Sequence, residues 1–600
     1  MLQSADGEAG KEMGARPTEE NRPRLLSAAV LSYFVLVFSL ICVSSFLQKS
    51  PTVDEPIHLF AGYSYLKWGD FRANPEHPPF AKIWAALPLL AFDVKDPTPS
   101  SPHWDLIPES PRGLPAFDLA GDVLVADNDG EKLFFYAKLQ MIVLGILLGI
   151  FVYLWSKGLF GLEAAIAALI IFALDPNILA HSQIVHTDLP FTAFFFIGTY
   201  FLFCFLERAA WPSLSLTSLF FGLAAITKYS YVAILPVWVI LGLAKIFFPA
   251  PQLPVFAAPR AATGRWNKAA LLVGVLASAA MTAYIFIWTV YGLRYDAIPG
   301  GLRPLHMTWV MPAENSSLRP LAALITDHRL FPEAWIYGQL YTLKYLERTA
   351  FLLGQASADG FWSYFPVAFT VKTPLPTLIL LFIGLWMLIR GRLSRMHGFF
   401  LIVPAISYFS FAVWSWANIG VRYILPIYPF LFVLAGGTAA QLWKGGRWIK
   451  GCVVLLAIWS LWSCASTYPH YLAFFNELVG GPKNGYKVLL DSNLDWGQDL
   501  KGLKRWMDAN GVNKIRFLYF GWIDPEYYGI DASYVPGSWI GYDPPATQTP
   551  EAPKYVAMSA QLLYGYSRED SFVKPFRSRE PVATIGHSIF VFKLDESRSR

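Results

Sequence analysis

The chain has 600 residues, 54% of them hydrophobic and 16% aromatic, with only 15% charged, against about 25% charged in an ordinary soluble chain. That balance excludes water as the main solvent. The formal net charge of +5 is spread through short loops between apolar runs, which excludes a nucleic-acid surface and matches positive-inside placement.

The first apolar run, Leu25 to Leu47, follows a basic stretch ending Arg22-Pro23-Arg24. It is longer than a signal-peptide core of roughly 7 to 15 residues, so it reads as an uncleaved span. Residues 1–24 read as a disordered cytoplasmic leader. A polar and aromatic loop, 48–132, comes next, and its apolar insert Ile83 to Phe92 is too short to span. Ten more runs follow: Leu133–Trp155, Leu162–Leu174, Phe191–Leu206, Leu214–Ile226, Tyr231–Phe248, Ala269–Tyr291, Leu375–Ile389, Phe399–Trp416, Tyr423–Leu442 and Cys452–Trp462. The expected fold is an α-helical polytopic membrane protein of about eleven spans. All four cysteines, Cys42, Cys204, Cys452 and Cys464, fall in or beside apolar runs, so no disulfide framework is expected.

Alternate loops hold the Lys and Arg excess. The leader, Lys157, Arg208, the Arg260/Arg265/Lys268 loop, the Arg390/Arg392/Arg395 loop and the Lys444/Arg447/Lys450 loop share one side, expected to be cytoplasmic. The long loops 48–132 and 292–374 and the tail 469–600 share the other. The tail carries strand-like runs at Lys514–Phe520, Lys554–Met558 and Val582–Phe592 and a helical stretch near Leu500–Asn510. It is large enough to bury a core and reads as a small external α/β domain.

Polar residues gather at the external span ends. Immediately after the first span stand Asp54, Glu55, Pro56 and His58. Pro56 suits a first helical turn, so Asp54 is either a helix cap or a general base. Glu76, His77 and Lys82 lie further along the same loop, and His181, His186 and Asp188 in the next external turn. Ionisable groups so close to apolar segments point to function. A divalent metal is conceivable, but no tight ligand spacing supports one. Lys228, Lys372 and Arg422, the last followed by Tyr423, either snorkel toward the interface or hold a phosphate. Asp127-Asn128-Asp129 has the Asp-x-Asp spacing used for nucleotide diphosphates, a weak match standing alone on the external side.

These motifs resemble the membrane glycosyltransferases of the GT-C type, and most closely the protein O-mannosyltransferase and aminoarabinose transferase group (glycosyltransferase family 39-like). The similarity rests on Asp54-Glu55, Glu76-His77-Pro78-Pro79, Asp188 and Arg422-Tyr423-Ile424-Leu425-Pro426, across residues 25–468. Asp491-Ser492-Asn493-Leu494-Asp495-Trp496-Gly497-Gln498-Asp499 resembles the tails of bacterial relatives. The resemblance implies an inverting transferase at the periplasmic face of a bacterial inner membrane. It would take sugar from a polyprenyl-phosphate donor and pass it to a protein, lipid or glycan. Asp54 would be the base, Glu55 its support and Asp188 a second acidic residue. His58, Glu76, His77, Lys82, His186, Lys228, Lys372, Arg422 and Tyr423 would bind substrate. His77 departs from the lysine usual at its position in aminoarabinose transferases, which leaves the phosphate contact open among the cations. A transporter of a lipid-linked or small polar substrate is the alternative. Charges at span ends rather than mid-span, and halves that differ in loop length, speak against it.

Overall fold

The computed structural model describes residues 22–96, 101–110, 114–247, 265–301, 304–344, 349–415, 417–535, 537–538, 553–565 and 570–594. Residues 1–21 of the expected leader lie outside them, as does Arg260, while residues 22–24 already belong to the first helix, Arg22–Phe46.

Each of the eleven apolar runs forms a helix. Eight of these helices, among the described residues, are long and apolar enough to cross a membrane, and the pair Tyr364–Lys372 and Leu375–Ile389, bent by 111°, makes nine when counted as one broken span. Pro374, between the two, has no amide proton to continue a helix. Leu162–Ala173 and Trp211–Ala225 are shorter. At 1.5 Å per residue the former is about 18 Å long, less than the roughly 30 Å hydrocarbon core. The insert of the first loop forms Phe80–Ala91, also short.

Two helices form the centre: Asp188–Arg208 and Val421–Trp443 bury 78% and 89% of their most apolar stretch, whereas the first helix and Arg447–Thr467 each bury 17%. Aromatic packing ties the centre together, with Phe196 4.9 Å from Phe430 and 5.0 Å from Trp155 between ring centroids. Around the periphery, Val273, Phe382 and Leu455 stay exposed, the surface a lipid-facing helix requires. Gly436 lets the second central helix approach its neighbour, because a Cβ there would stand 2.6 Å from the Ala164 carbonyl oxygen.

Beyond Thr467 the chain forms a five-stranded sheet. With the hairpin Ala350–Leu352 (β1) and Gln355–Ser357 (β2) counted first, its strands are Lys514–Leu518 (β3), Asp531–Tyr534 (β4), Tyr555–Ser559 (β5), Ala583–Ile585 (β6) and Ile589–Lys593 (β7). Their order is β4-β3-β5-β7-β6, with β3 parallel to β4 and β5, and β7 antiparallel to β5 and β6. The amphipathic helix Leu500–Ala509 buries Leu500, Leu503 and Met507. The segment 488–499 packs on the helical part: the Ser50 and Val53 amides donate to the carbonyls of Gln498 (3.0 Å) and Trp496 (2.8 Å).

Candidate active site

Asp54 precedes the helix Glu55–Lys67 and occupies its N-cap position, yet its side chain makes no capping hydrogen bond. Its carboxylate instead faces Arg422, with Nη1 3.3 Å from Oδ2, and remains 29% exposed. Glu55 is fully buried and committed. One of its oxygens accepts the Thr52 amide at 2.7 Å, and the other accepts the Val185 amide at 3.0 Å and faces Lys138 Nζ at 3.3 Å. Glu55 therefore clamps the first external loop to the second external turn. Among the two acids, Asp54 alone offers an accessible oxygen.

Asp188 begins its central helix, where the helix dipole favours an anion. Its Oδ1 is ion-paired with Lys228, and its Oδ2 lies 3.6 Å from Arg422 Nη1. His186 Nε2 lies 3.0 Å from the His181 carbonyl, which can only accept, so that nitrogen carries the proton. His186 Nδ1 lies 3.0 Å from the Asp188 amide nitrogen and 3.1 Å from Asp188 Oδ2. Arg422 thus bridges the two carboxylates. Its guanidinium lies 4.3 Å from the Trp496 ring centroid and 5.5 Å from that of Tyr423, over which Lys228 also sits at 4.5 Å. Such stacking suits the planar guanidinium.

One turn after Asp54, His58 stacks on His77, with centroids 5.7 Å apart. Burial, first, and neighbouring cations hold both rings neutral, His58 well below its ordinary value and His77 down to about 3. Glu76 lines a small open cleft together with Arg72, Asn74, Phe117, Tyr337 and Tyr341. The cleft and the Asp54 cluster flank the Glu76-His77 dipeptide.

Two predicted phosphate ligands are engaged elsewhere. Lys82 Nζ donates to the Asn74 carbonyl (2.5 Å), Asn74 Oδ1 (2.9 Å), the His77 carbonyl (2.6 Å) and Tyr65 Oη (3.1 Å). Lys372 Nζ donates to the carbonyls of Leu472 (2.8 Å) and Asn493 (2.6 Å). Both are 1% exposed. They brace the first loop and the tail junction, and the cations beside the acids are Arg422 and Lys228. Asp129 caps the helix Gly130–Phe160 through the Lys132 amide at 3.1 Å, and Asn128 pins Lys95, so Asp127-Asn128-Asp129 shapes a turn. Among the described residues no group of three or more His, Cys, Asp or Glu side chains could hold a metal ion.

Sequence reasoning gave no role to Lys138 or Trp496. Lys138 carried a signal, since a lysine inside an apolar run needs a partner. Trp496 carried only the motif around it.

Helices long and apolar enough to cross a membrane thus gather acids and cations at their ends. The family described as dolichyl-phosphate-mannose-protein mannosyltransferase matches residues 130–251, which include Lys138, His186, Asp188 and Lys228. Over those residues the chain is accordingly similar to the protein O-mannosyltransferase family that its motifs resemble. No curated protein matches it in sequence. Among solved structures, the archaeal oligosaccharyltransferase AglB of Archaeoglobus fulgidus superposes with a TM-score of 0.44 at 12% identity, over 74% of this chain and 56% of that one. ArnT of Cupriavidus metallidurans gives 0.43 at 13% identity, over 95% and 99%. The Pmt1-Pmt2 complex of S. cerevisiae gives 0.34 at 16% identity, over 46% and 34%. The chain spans just over half the length of the first and about a third of the last.

Proposed function

We propose that this chain transfers a sugar, with inversion, from a polyprenyl monophosphate to an acceptor at the membrane face opposite the basic loops. The observation that carries the proposal is Arg422 bridging Asp54 and Asp188, with Lys228 on the far oxygen of Asp188. A base and two cations then lie at one rim of the bundle. The matching family's description names a dolichyl-phosphate-mannose donor, which is a lipid monophosphate of this class.

In this reading the acceptor hydroxyl attacks the anomeric carbon from the side opposite the phosphate. A new C–O bond forms, the bond from the anomeric carbon to the phosphate oxygen breaks, and its electron pair leaves on the polyprenyl phosphate. Asp54 receives the hydroxyl proton. The sugar passes through an oxocarbenium-like state, as in glycoside hydrolysis, and Arg422 and Lys228 neutralise the leaving phosphate. The cleft beside Glu76 and His77 is the acceptor's approach. The orientation rests on Arg24, Lys157, Arg208, Arg265, Arg390, Arg395 and Arg447, all at the helix ends opposite this cluster.

The test is Asp54→Asn. Asn keeps the size but cannot serve as a base, and a positioned base is worth about 10² to 10⁴-fold. Consumption of a panel of polyprenyl-phosphate sugars by purified protein is expected to fall at least about a hundredfold with folding intact. Near-normal turnover in the Asn variant removes Asp54 from the base role.

A further inference from the structure

The transfer site draws on a segment far along the chain from its acids. Ser492 Oγ donates to the Ile419 carbonyl at 2.7 Å, and Asn493 Oδ1 accepts the amide of Val421, the residue before Arg422, at 2.8 Å. Three residues on, the Trp496 carbonyl accepts the amide of Val53, the residue before Asp54, at 2.8 Å. The same short segment is therefore bonded to the backbone beside both members of the ion pair. Between those anchors the Trp496 ring, 2% exposed, lies under the Arg422 guanidinium.

Arg422 Nη1 serves both carboxylates, at 3.3 and 3.6 Å, while its Nε is buried without a hydrogen-bond partner. Hydrogen bonds at one corner do not fix a planar group's tilt. An aromatic face beneath it does, because the ring quadrupole attracts the cation and the two planes match in shape.

We propose that Trp496 is a positioning residue whose ring holds the Arg422 guanidinium across Asp54 and Asp188, so that the C-terminal segment completes the transfer site. This rests on the reading of that cluster as the place where a lipid phosphate leaves.

The test uses the full chain purified in detergent, with undecaprenyl phosphate as the binding probe. Trp496→Ala and Trp496→Leu each weaken binding by about tenfold, the scale of a desolvated cation–π contact. Trp496→Phe, which keeps a ring, stays within about threefold of wild type. In an Arg422→Ala background, Trp496→Ala adds less than about twofold, because a residue that acts through Arg422 has nothing left to act on. Independent, additive losses overturn the proposal, as does equal affinity in the Leu and Phe variants, a pair that retains bulk and so guards against a misfolded Ala variant. Ligand-free structures of the Leu and Phe variants decide separately. The guanidinium leaves one carboxylate with Leu and stays with Phe, and an unmoved guanidinium in the Leu variant overturns the proposal. If wild-type protein has no affinity for undecaprenyl phosphate, the donor reading fails, and those structures still decide the role of Trp496.

Discussion

Lys372 has the residue type and depth of a phosphate ligand, but its ammonium donates to the carbonyls of Leu472 and Asn493 and sits 4.6 Å over the Phe475 ring. Losing it leaves buried carbonyls unpaired, about 1 to 3 kcal/mol each. Lys372→Ala is therefore expected to lower thermal stability while undecaprenyl phosphate affinity stays within about threefold of wild type, which scanning calorimetry and lipid binding would show. Selective loss of affinity at full stability would return Lys372 to the phosphate site. In the tail, Asp495 is buried, and burial pushes its carboxyl up to about 7, although the amides of Gln561 (3.0 Å) and Gly497 (3.3 Å) donate to it. A carboxyl raised in the folded chain binds a proton that the unfolded chain has already released. Folded stability from this group therefore falls as pH climbs from about 4 to about 7 and levels off above. Asp495→Asn, which mimics the neutral form, should gain in melting temperature relative to wild type between pH 5 and pH 8. A constant difference across that range would refute the assignment. The residue scale also shows what sequence can carry. That Asp54 stands at a span end was legible because it directly follows the first apolar run; its ion pair with Arg422, 368 residues on, was not. Lys82 and Lys372 were assigned to phosphate because type and depth are visible in sequence, whereas consumption of their donors by carbonyls is not.

At the scale of elements, apolar length told where helices form but not how long each would be. Leu162–Ala173 and Trp211–Ala225, at 12 and 15 residues, are shorter than a hydrocarbon core of roughly 30 Å requires, yet each carries the chain back to the cluster, because the long helices before and after it both start there. The break at Thr373-Pro374 was half visible, since the proline was read as a span boundary while the helix before it lay in a loop. Which helices lie at the centre was hidden, because all are apolar and only packing separates Val421–Trp443 from Arg447–Thr467. Association inside lipid depends on close approach of small residues rather than on escape from water, and Gly436 is such a place. A methyl there would also meet Ala168 Cβ at 2.6 Å. Gly436→Ala gains helix propensity of up to about 1 kcal/mol, but overpacking against a backbone carbonyl costs about 1 to 3 kcal/mol. Packing should win, giving a lower melting temperature. Because this helix carries Arg422 at its far end, lipid-phosphate affinity is expected to change less than stability. A melting temperature equal to or above wild type would show that the helix pair separates without penalty.

For the molecule as a whole, the claim that matters is that one end of the bundle gathers the acids, Arg422, Lys228 and the sheet, while the other gathers the basic turns. The first helix ends at the cluster, the next three spans start there, and Arg265–Val290 returns to it. The alternation then runs through Leu375–Ile389, Arg395–Trp414 and Val421–Trp443 to Thr467, so an error of one span anywhere would put the sheet and the cluster on opposite faces. Hydrogen bonds from Ser50 and Val53 to the segment 496–498 make that arrangement impossible without breaking the site. The Lys and Arg bias gives the orientation to expect, and the docking of the tail requires only that the sheet and the cluster share one side. In a background lacking Cys42, Cys204, Cys452 and Cys464, cysteines replacing Ser317 and Asp531, both exposed, are expected to react with a membrane-impermeant maleimide in intact cells. A cysteine replacing the exposed Arg392 should react only after lysis. Labelling of Arg392→Cys in intact cells, with the other two protected, would invert the whole chain and put the transfer on the inner face. Labelling at Ser317→Cys but not at Asp531→Cys would contradict the docked tail itself, because the bonds at Ser50 and Val53 require both on one side.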